Sequence, residues 1–481
     1  MKLSDISKYM DGEWKSFRDM DIECIEIDSR RNVTNGIFIC ISGFATDGHS
    51  YAGAAAEKGA GALVVERYID GIDIPQYKVS SSRKAFARLS SAWYGDPAKD
   101  LKLIGITGTK GKTTTAHMIK SLLEYSGKKT AVMGTIGTYI GAVKYDQNLT
   151  TPDPMEFHKL LKTIKDNRCT HVVMEVSAHA LALDKLDGVK FEIGIFTNLS
   201  QDHLNDFKTM ENYRDAKKKL FSNGYIKSAI VNADDENCDY MISGFSGPVI
   251  KYGINSVCDV RADHIDIDMK SIAYDMDAFG NTNQMRLGLP GLFNVYNSLA
   301  AASAALALSI DGKSIVKALG DMNRVEGRME QIDCGQDYAV IVDYAHSPDS
   351  LYNILSAVKE LKKNRILCVF GCGGDRDKTK RPIMGEISGR ISDFTILTSD
   401  NPRTENPDSI IDMIEVGIKE TGGEYIRISD RKQAIIESLS MARKDDIVII
   451  AGKGHETYQD VMGVKHHFDD REVVREYLNR T

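Results

Sequence analysis

Short continuous apolar runs recur along the chain, and each closes on a polar or glycine-bearing stretch. Leu101–Thr107, Thr130–Met133, His171–Val176, Ile193–Thr197 and Ala229–Asn232 are runs of this kind, spaced by helical segments such as Lys112–Tyr125. Runs without alternation read as strands buried on both faces, so this block predicts a parallel sheet covered by helices on both sides. Before it, Cys24–Asp28, Gly36–Ile41 and Ala62–Val65 read as strands around an Ala/Gly-rich helix, and Gly95-Asp-Pro-Ala-Lys-Asp100 marks a break. After about residue 247 the rhythm changes to shorter alternating strands, then to the Ala-rich helix Ser298–Leu308. From about residue 332 the strand–helix alternation resumes with Ala339–Val342, Ile366–Phe370, Phe394–Leu397 and Ile447–Ile450. The predicted fold class is α/β in three domains. A small N-terminal α/β domain spans residues 1–97, a central parallel-sheet domain with a small β extension spans 98–331, and a Rossmann-like α/β domain spans 332–481.

Composition narrows the picture. A chain of 481 residues is too long for one core and suits three domains of ordinary size. Hydrophobic residues at 42% and charged ones at 27% exclude disorder and low-complexity readings. Lys and Arg (61) against Asp and Glu (68) leave a net charge of −7, which argues against nucleic acid or an anionic membrane as partner. The chain opens on polar residues, and no apolar run approaches the ~18 residues of a membrane span. A cytosolic monomer is expected. The eight cysteines include no Cys-x-x-Cys pair, so they read as structural thiols rather than a zinc site or disulfide frame.

The strongest chemical signal is Leu103-Ile-Gly-Ile-Thr-Gly108-Thr109-Lys110-Gly111-Lys112-Thr113-Thr114. An apolar strand enters a glycine-bearing turn, and Lys-Thr-Thr opens a helix. Glycines let backbone N–H groups turn inward around phosphate oxygens, and the helix N-terminus favours the anion. Lys112 would neutralise the β- and γ-phosphates, and Thr113 would ligate Mg²⁺. ATP or GTP is the expected ligand, which makes the central domain a P-loop-type ATPase domain. The loop resembles that of the Mur ligases of peptidoglycan synthesis, and also that of the folylpolyglutamate synthetases.

Three separate segments extend the argument. Glu175 stands near the end of an apolar strand, where a carboxylate is costly unless paired or metal-bound. His203 follows another strand in Asn198-Leu-Ser-Gln-Asp-His203. In Tyr213-Arg-Asp-Ala-Lys217-Lys-Lys-Leu-Phe221, helical spacing puts Lys217 on the face of Tyr213 and Phe221, while Lys218 and Lys219 point to water. Burial would favour the neutral amine of Lys217, which can add CO₂ as a carbamate and become an anionic oxygen donor. Together these segments are similar to the Mur ligase core. That resemblance implies magnesium held by Thr113, Glu175, His203 and carbamylated Lys217, with Lys112 completing the catalytic set. It also implies adenine-side contacts from Asn294, Asn297, Arg328 and Asp343.

Within the family, the loops Gly373-Gly-Asp-Arg376, Asp400-Asn401-Pro402-Arg403 and Ala451-Gly452-Lys-Gly-His-Glu456 resemble the MurE type. Those members add the third amino acid of the peptide stem to UDP-N-acetylmuramoyl-L-alanyl-D-glutamate, and the Asp-Asn-Pro-Arg pattern goes with meso-2,6-diaminopimelate. Charge arithmetic agrees. Arg376 and Arg403 can clamp the distal carboxylate that lysine lacks, and Glu456 can receive the ammonium. The resemblance further assigns the uridine nucleotide to Ser29, Phe44, Ala45 and Thr46, and the muramoyl peptide to Thr150, Thr151, Ser177 and Lys185. Lys185 stands where the family commonly has Arg, keeping the charge but losing a bidentate grip.

The reaction so implied is ATP-dependent amide formation: the D-glutamate γ-carboxylate attacks the γ-phosphate, and the diaminopimelate amine then displaces phosphate from the acyl phosphate. Alternatives left open by the residues are the same ligase with L-lysine, a folylpolyglutamate-type ligase, or a nucleotide-dependent switch.

Overall fold

The computed structural model describes every residue except Phe44, Ala45, Asn148, His203, Asn323, Arg324 and Thr481, and the side chain of Asn205. It contains three main sheets, in chain order, and one small hairpin.

The first sheet has five strands in the order Glu13–Trp14, Gln76–Lys78, Ala62–Val65, Ile37–Ile39, Ile25–Glu26. Its outermost pair is antiparallel and the others are parallel. The helix Ser82–Trp93, whose Ser81 side chain accepts from Lys84 N–H as an N-cap, presents Ala85, Phe86 and Leu89 to this sheet.

The second sheet has eleven strands. At its centre Lys102–Thr107 lies between Phe191–Phe196 and His171–Glu175, parallel to both. Buried clusters pack on both faces, as expected for strands that are apolar throughout. One face is covered by the helices Lys112–Tyr125 and Leu292–Ala307, the second so rich in alanine that it approaches its neighbours closely.

Both edges of this sheet differ from the expectation. Gly137–Ile140 and Val143–Tyr145 add an antiparallel edge that the short, glycine-interrupted run did not signal. At the other edge, Val260–Ile267, Ile272–Ala278 and Asn281–Leu287 are antiparallel strands of seven or eight residues, not short ones, and they continue the same sheet. The alternation is nevertheless real: Ile272, Tyr274, Met276 and Ala278 face the core, and the residues between them are only half-buried.

The third sheet runs Glu330–Gln331, Ala339–Asp343, Ile447–Ala451, Ile366–Phe370, Phe394–Leu397, Tyr425–Arg427, parallel apart from the first strand. It therefore opens one or two residues ahead of the expected boundary. Because Ile447–Ala451 inserts between Ala339–Asp343 and Ile366–Phe370, the strand order reverses there. The loops after these three strands gather at one end, where open α/β sheets bind ligands. The hairpin Tyr458–Val461 with Val464–His467 was not legible in advance. All eight cysteines are unpaired; Cys334 is exposed, whereas Cys40, Cys169, Cys238, Cys368 and Cys372 are buried.

Candidate active site

The carboxyl end of the central strands opens into a cavity of about 570 Å³. Lys102–Thr107 delivers the loop 108–111. The neighbouring strands deliver Glu175 on one side and Thr197–Asn198 on the other. Gly108 (φ +149°) lies against the Thr197 hydroxyl, and Gly111 (φ +84°) against the Asn297 side-chain oxygen, so a β-carbon at either position would collide. The loop is anchored by Lys110 N–H donating to Asn198 Oδ1 (2.8 Å) and by Thr197 Oγ1 donating to the Lys110 carbonyl (2.7 Å). Its shape is thus set before any ligand arrives.

Lys112 opens the helix Lys112–Tyr125 and donates from Nζ to the carbonyls of Gly108 and Thr109, both at 2.9 Å. Water reaches it from the cavity, yet enough protein surrounds the ammonium that burial lowers its pKa to about 8, against an opposing pull from Glu175. The cationic form is therefore present below about pH 8 and lost above it. Nucleotide affinity is expected to weaken as pH rises through that value. A titration of Lys112→Met with a fluorescent nucleotide should show weaker binding without that inflection, and an unchanged inflection would assign it elsewhere.

Thr113 sits between an acid and a base. Its hydroxyl donates to Glu175 Oε1 (2.8 Å) and accepts from Arg328 Nη2 (3.0 Å). Glu175 is 1% exposed and also accepts from Thr135 N–H (2.9 Å) and Thr135 Oγ1 (3.0 Å), which holds its carboxylate in place. Thr113 and Glu175 together are hard oxygen donors of the kind Mg²⁺ takes, so the pair fits that ion. Among the described residues no group of three or more His, Cys, Asp or Glu converges on a metal position, and His203 lies outside the described residues.

Lys217 lies on the helix Met210–Lys218 and is 2% exposed, over the Tyr213 ring at 4.3 Å. The α-helix ends at Lys218, and Leu220 and Phe221 continue as a 3₁₀ turn, so Phe221 is buried but not by the helical spacing expected. Lys217 Nζ donates to the Gly108 carbonyl (2.8 Å), the same oxygen that Lys112 uses. Burial first, and the neighbouring Lys112 charge second, push its pKa well below the usual lysine value. Lys219 is exposed, as expected, and pairs with Asp184; Lys218 is only half-exposed and lies over the Tyr240 ring.

Lys110, Asn294, Asn297, Arg328 and Asp343 also line the cavity. Asn297 donates to Asn294 Oδ1 (3.0 Å), and Asn294 donates to the Pro290 carbonyl (2.8 Å). Lys110 spans two domains, donating to Asp202 Oδ2 (3.2 Å) and to Ser347 Oγ (2.8 Å). Asp343 accepts from Met329 N–H (2.8 Å), and burial raises its carboxyl pKa. Tyr344, His346 and Asn353 from the third domain join this lining; the first two stand in the segment Asp343-Tyr-Ala-His346 beside the expected Asp343, and Asn353 had no sequence signal.

Of the residues expected to meet the muramoyl peptide, Thr150 and Ser177 line the cavity. Thr150 lies 3.2 Å from the Thr135 hydroxyl, and Ser177 also caps the helix Ala178–Ala182. Thr151 is buried and braces this turn, donating to the Glu175 carbonyl (2.9 Å) and accepting from Ser177 N–H (3.0 Å). Lys185 lies outside the cavity and pairs with Asp153 at 2.6 Å. Ser29 and Thr46 lie apart in the first domain, while Phe44 and Ala45 are outside the described residues.

The third-domain loops form a second cluster outside the cavity. Arg403 (φ +51°) donates from Nη1 to the Gly374 carbonyl (2.7 Å), and its main chain pairs with the hairpin through Arg403 N–H to Asp460 O (3.0 Å). A β-carbon on Gly373 would lie 2.9 Å from Arg403 Nη1 and 3.7 Å from Arg376 Cγ, so both arginines flank that glycine. Asp400 and Asn401 are buried beside Pro402, and Gly452 (φ +118°) packs against the Asp400 carboxylate. Glu456 accepts from Asn401 Nδ2 (2.8 Å) and from Lys453 Nζ (3.1 Å). Burial raises its carboxyl pKa, and Lys453 opposes that shift. Lys453, fully buried, and Asp460 on the hairpin were not singled out from the sequence.

A glycine loop, a buried acid and a buried lysine share one cavity, flanked by a further α/β domain on either side, an arrangement that suits an ATP-dependent ligase. Family models match along the chain: "Mur ligase family, catalytic domain" over residues 21–94, "Mur ligase middle domain" over 106–305 and "Mur ligase, glutamate ligase domain" over 327–454. The chain is 42% identical over 484 residues to the UDP-N-acetylmuramoyl-L-alanyl-D-glutamate--2,6-diaminopimelate ligase of Clostridium botulinum, covering 99% of each. Among solved structures, a ligase of that same name matches with a TM-score of 0.70 at 33% identity, covering 95% of each chain. A MurF ligase of Thermotoga maritima in complex with ADP matches with a TM-score of 0.58 at 18% identity, covering 95% of this chain and 96% of that one, a likeness of fold alone. The chain belongs to the Mur ligase family. Among the described residues no helix is long and apolar enough to cross a membrane.

Proposed function

We propose that this chain joins meso-2,6-diaminopimelate to the D-glutamate γ-carboxylate of UDP-N-acetylmuramoyl-L-alanyl-D-glutamate, driven by ATP, in peptidoglycan precursor synthesis. The observation that carries this reading is the single cavity uniting the phosphate loop, Glu175 and Lys217 with Thr150 and Ser177, since phosphoryl transfer needs donor and acceptor in one place. Three units, with boundaries near residues 97 and 331, close around the ligands and keep the acyl phosphate from water.

ATP lies along residues 108–114, with Asn294, Asn297, Arg328 and Asp343 on its nucleoside side. The γ-carboxylate attacks the γ-phosphorus and ADP leaves. Lys112 and the loop N–H groups stabilise the charge that develops on the transferring phosphoryl. The amine of diaminopimelate then attacks the acyl carbon, losing its proton as phosphate departs. Thr113, Glu175, His203 and carbamylated Lys217 would hold magnesium, which screens the triphosphate so that a second anion can approach. Ser29, Phe44, Ala45 and Thr46 bind the uridine nucleotide; Thr150, Thr151, Ser177 and Lys185 bind the muramoyl peptide. Arg376, the segment 400–403, Gly452 and Glu456 bind diaminopimelate. The protein works in the cytosol as a monomer.

Phosphate release with UDP-muramoyl-dipeptide, measured with diaminopimelate, lysine, glutamate or no amino acid, tests the proposal. Release should require diaminopimelate and yield one tripeptide per phosphate. Stimulation by lysine would reassign the amino acid, and release without any amino acid would favour a nucleotide switch.

A further inference from the structure

The segment Glu326–Glu330 links the second sheet to the third and touches both ligand clusters. Arg328 reaches Thr113 beside the phosphate loop, and its guanidinium lies 4.9 Å from the Tyr344 ring centre. Gly327 (φ +64°) packs so tightly against the backbone N–H of His455 that no side chain fits there. Its carbonyl accepts from Tyr344 N–H (3.1 Å). One turn of chain thus separates the nucleotide cavity from the loop 452–456.

From the far side this turn is held by charge. Arg471, in the first turn of the C-terminal helix Asp470–Leu478, donates from Nη1 to Glu326 (2.9 Å) and approaches Glu330 (3.4 Å), while its Nη2 meets Asp469 (2.7 Å). Arg475 lies 3.6 Å from the other Glu330 oxygen. Glu330 in turn accepts from Gly327 N–H (2.9 Å), and Tyr139 on the edge of the central sheet donates to Glu326 (3.0 Å). The side chains of Arg471, Glu330 and Asp469 are only 9%, 6% and 6% exposed, so these three charges interact with little screening by water, whereas Glu326 at 39% and Arg475 at 44% meet solvent.

We propose that Arg471 is a positioning residue for the nucleotide. By clamping Glu326 and Glu330, it fixes the turn that aims Arg328 at Thr113. None of these clamp residues lines the cavity, so the effect passes through the backbone of 326–330. The inference rests on Arg328 being a nucleotide contact.

Steady-state kinetics of the full chain test it. Arg471→Met is expected to raise the KM for ATP by about tenfold with little change in the KM for UDP-muramoyl-dipeptide, because this turn carries Arg328 and none of the muramoyl-peptide residues. Tyr139→Phe, which removes one hydrogen bond to the Glu326 carboxylate and leaves every charge in place, is expected to raise the KM for ATP by about twofold. It also decides the matter if Arg471→Met does not fold. Arg471→Lys keeps one positive charge and should recover part of the loss. A simple loss of folded protein would lower kcat and leave the KM for ATP untouched; that result in both variants overturns the proposal. Arg328→Ala separates the two ideas. If it leaves the KM for ATP unchanged, the nucleotide reading of Arg328 fails and the clamp with it. If it raises that KM while the clamp variants do not, only the clamp fails.

Discussion

Lys217→Ala is expected to lower kcat for tripeptide formation by about 10³-fold, the scale seen when one preorganised charge-stabilising group is removed from a phosphoryl- or acyl-transfer site. As an ammonium, Lys217 is poorly placed, although it donates to the Gly108 carbonyl and lies over the Tyr213 ring. It is buried, it shares the Gly108 carbonyl with the Lys112 ammonium, and both burial and that neighbour favour its neutral form. A neutral amine can attack CO₂: the N–C bond forms, one proton leaves to solvent, and a carbamate anion replaces a would-be cation. Beside a triphosphate this would turn a donor into an oxygen ligand for magnesium.

The sign of the pH effect follows. As pH falls through the lowered Lys217 pKa the amine protonates, CO₂ can no longer add, and activity falls on the acid side. Enzyme equilibrated with ¹³C-bicarbonate should show a carbamate carbon signal by NMR, lost in Lys217→Ala. Full activity in that variant, or no such signal in active wild-type enzyme, would falsify the assignment.

Arg403→Ala should lower kcat/KM for diaminopimelate by about 10²-fold or more while leaving the residual rate with lysine nearly unchanged. Arg403 holds a left-handed backbone conformation that an arginine adopts only when its surroundings impose it. Here the hairpin imposes it: Arg403 N–H donates to the Asp460 carbonyl, and Met462 N–H donates to the Arg403 carbonyl at 2.8 Å. One guanidinium N–H is spent on Gly374 and Nε lies 3.9 Å from the Asp460 carboxylate, which leaves the Nη2 side of the fork for a ligand carboxylate. Lysine brings no distal carboxylate, so it gains nothing from the fork. Arg403→Lys keeps the charge without the fork and should fall between. Kinetics with both amino acids decide the point: if Arg403→Ala still prefers diaminopimelate by the wild-type margin, the clamp lies elsewhere.

Much of this site could be read from local pattern, because its chemistry is local. The run Leu103–Thr114 encodes strand, glycine turn and helix start within a dozen residues, and the helix Lys112–Tyr125 forms over the predicted span. The face shared by Tyr213 and Lys217 follows from helical spacing, and the ring contact bears that out. Strands buried on both faces announce themselves as unbroken apolar runs, so the parallel cores of the second and third sheets were legible too.

Other features were decided only by the tertiary structure. The antiparallel edge Gly137–Tyr145 and the hairpin Tyr458–His467 are short and carry weak local preference, so their pairing partners alone make them strands. Lys453, fully buried between Asn401 and Glu456, and Arg471, holding a turn some 140 residues away at Glu326 and Glu330, looked like ordinary charged residues in the chain. Their meaning comes from burial and from partners distant in sequence. The amino-acid sequence by itself determined the α/β alternation and the glycine loop, and it singled out Glu175 and Lys217, which the fold then brought to one cavity. Only folding decided which charges lose their water, because desolvation is a property of the packed interior and not of any local stretch.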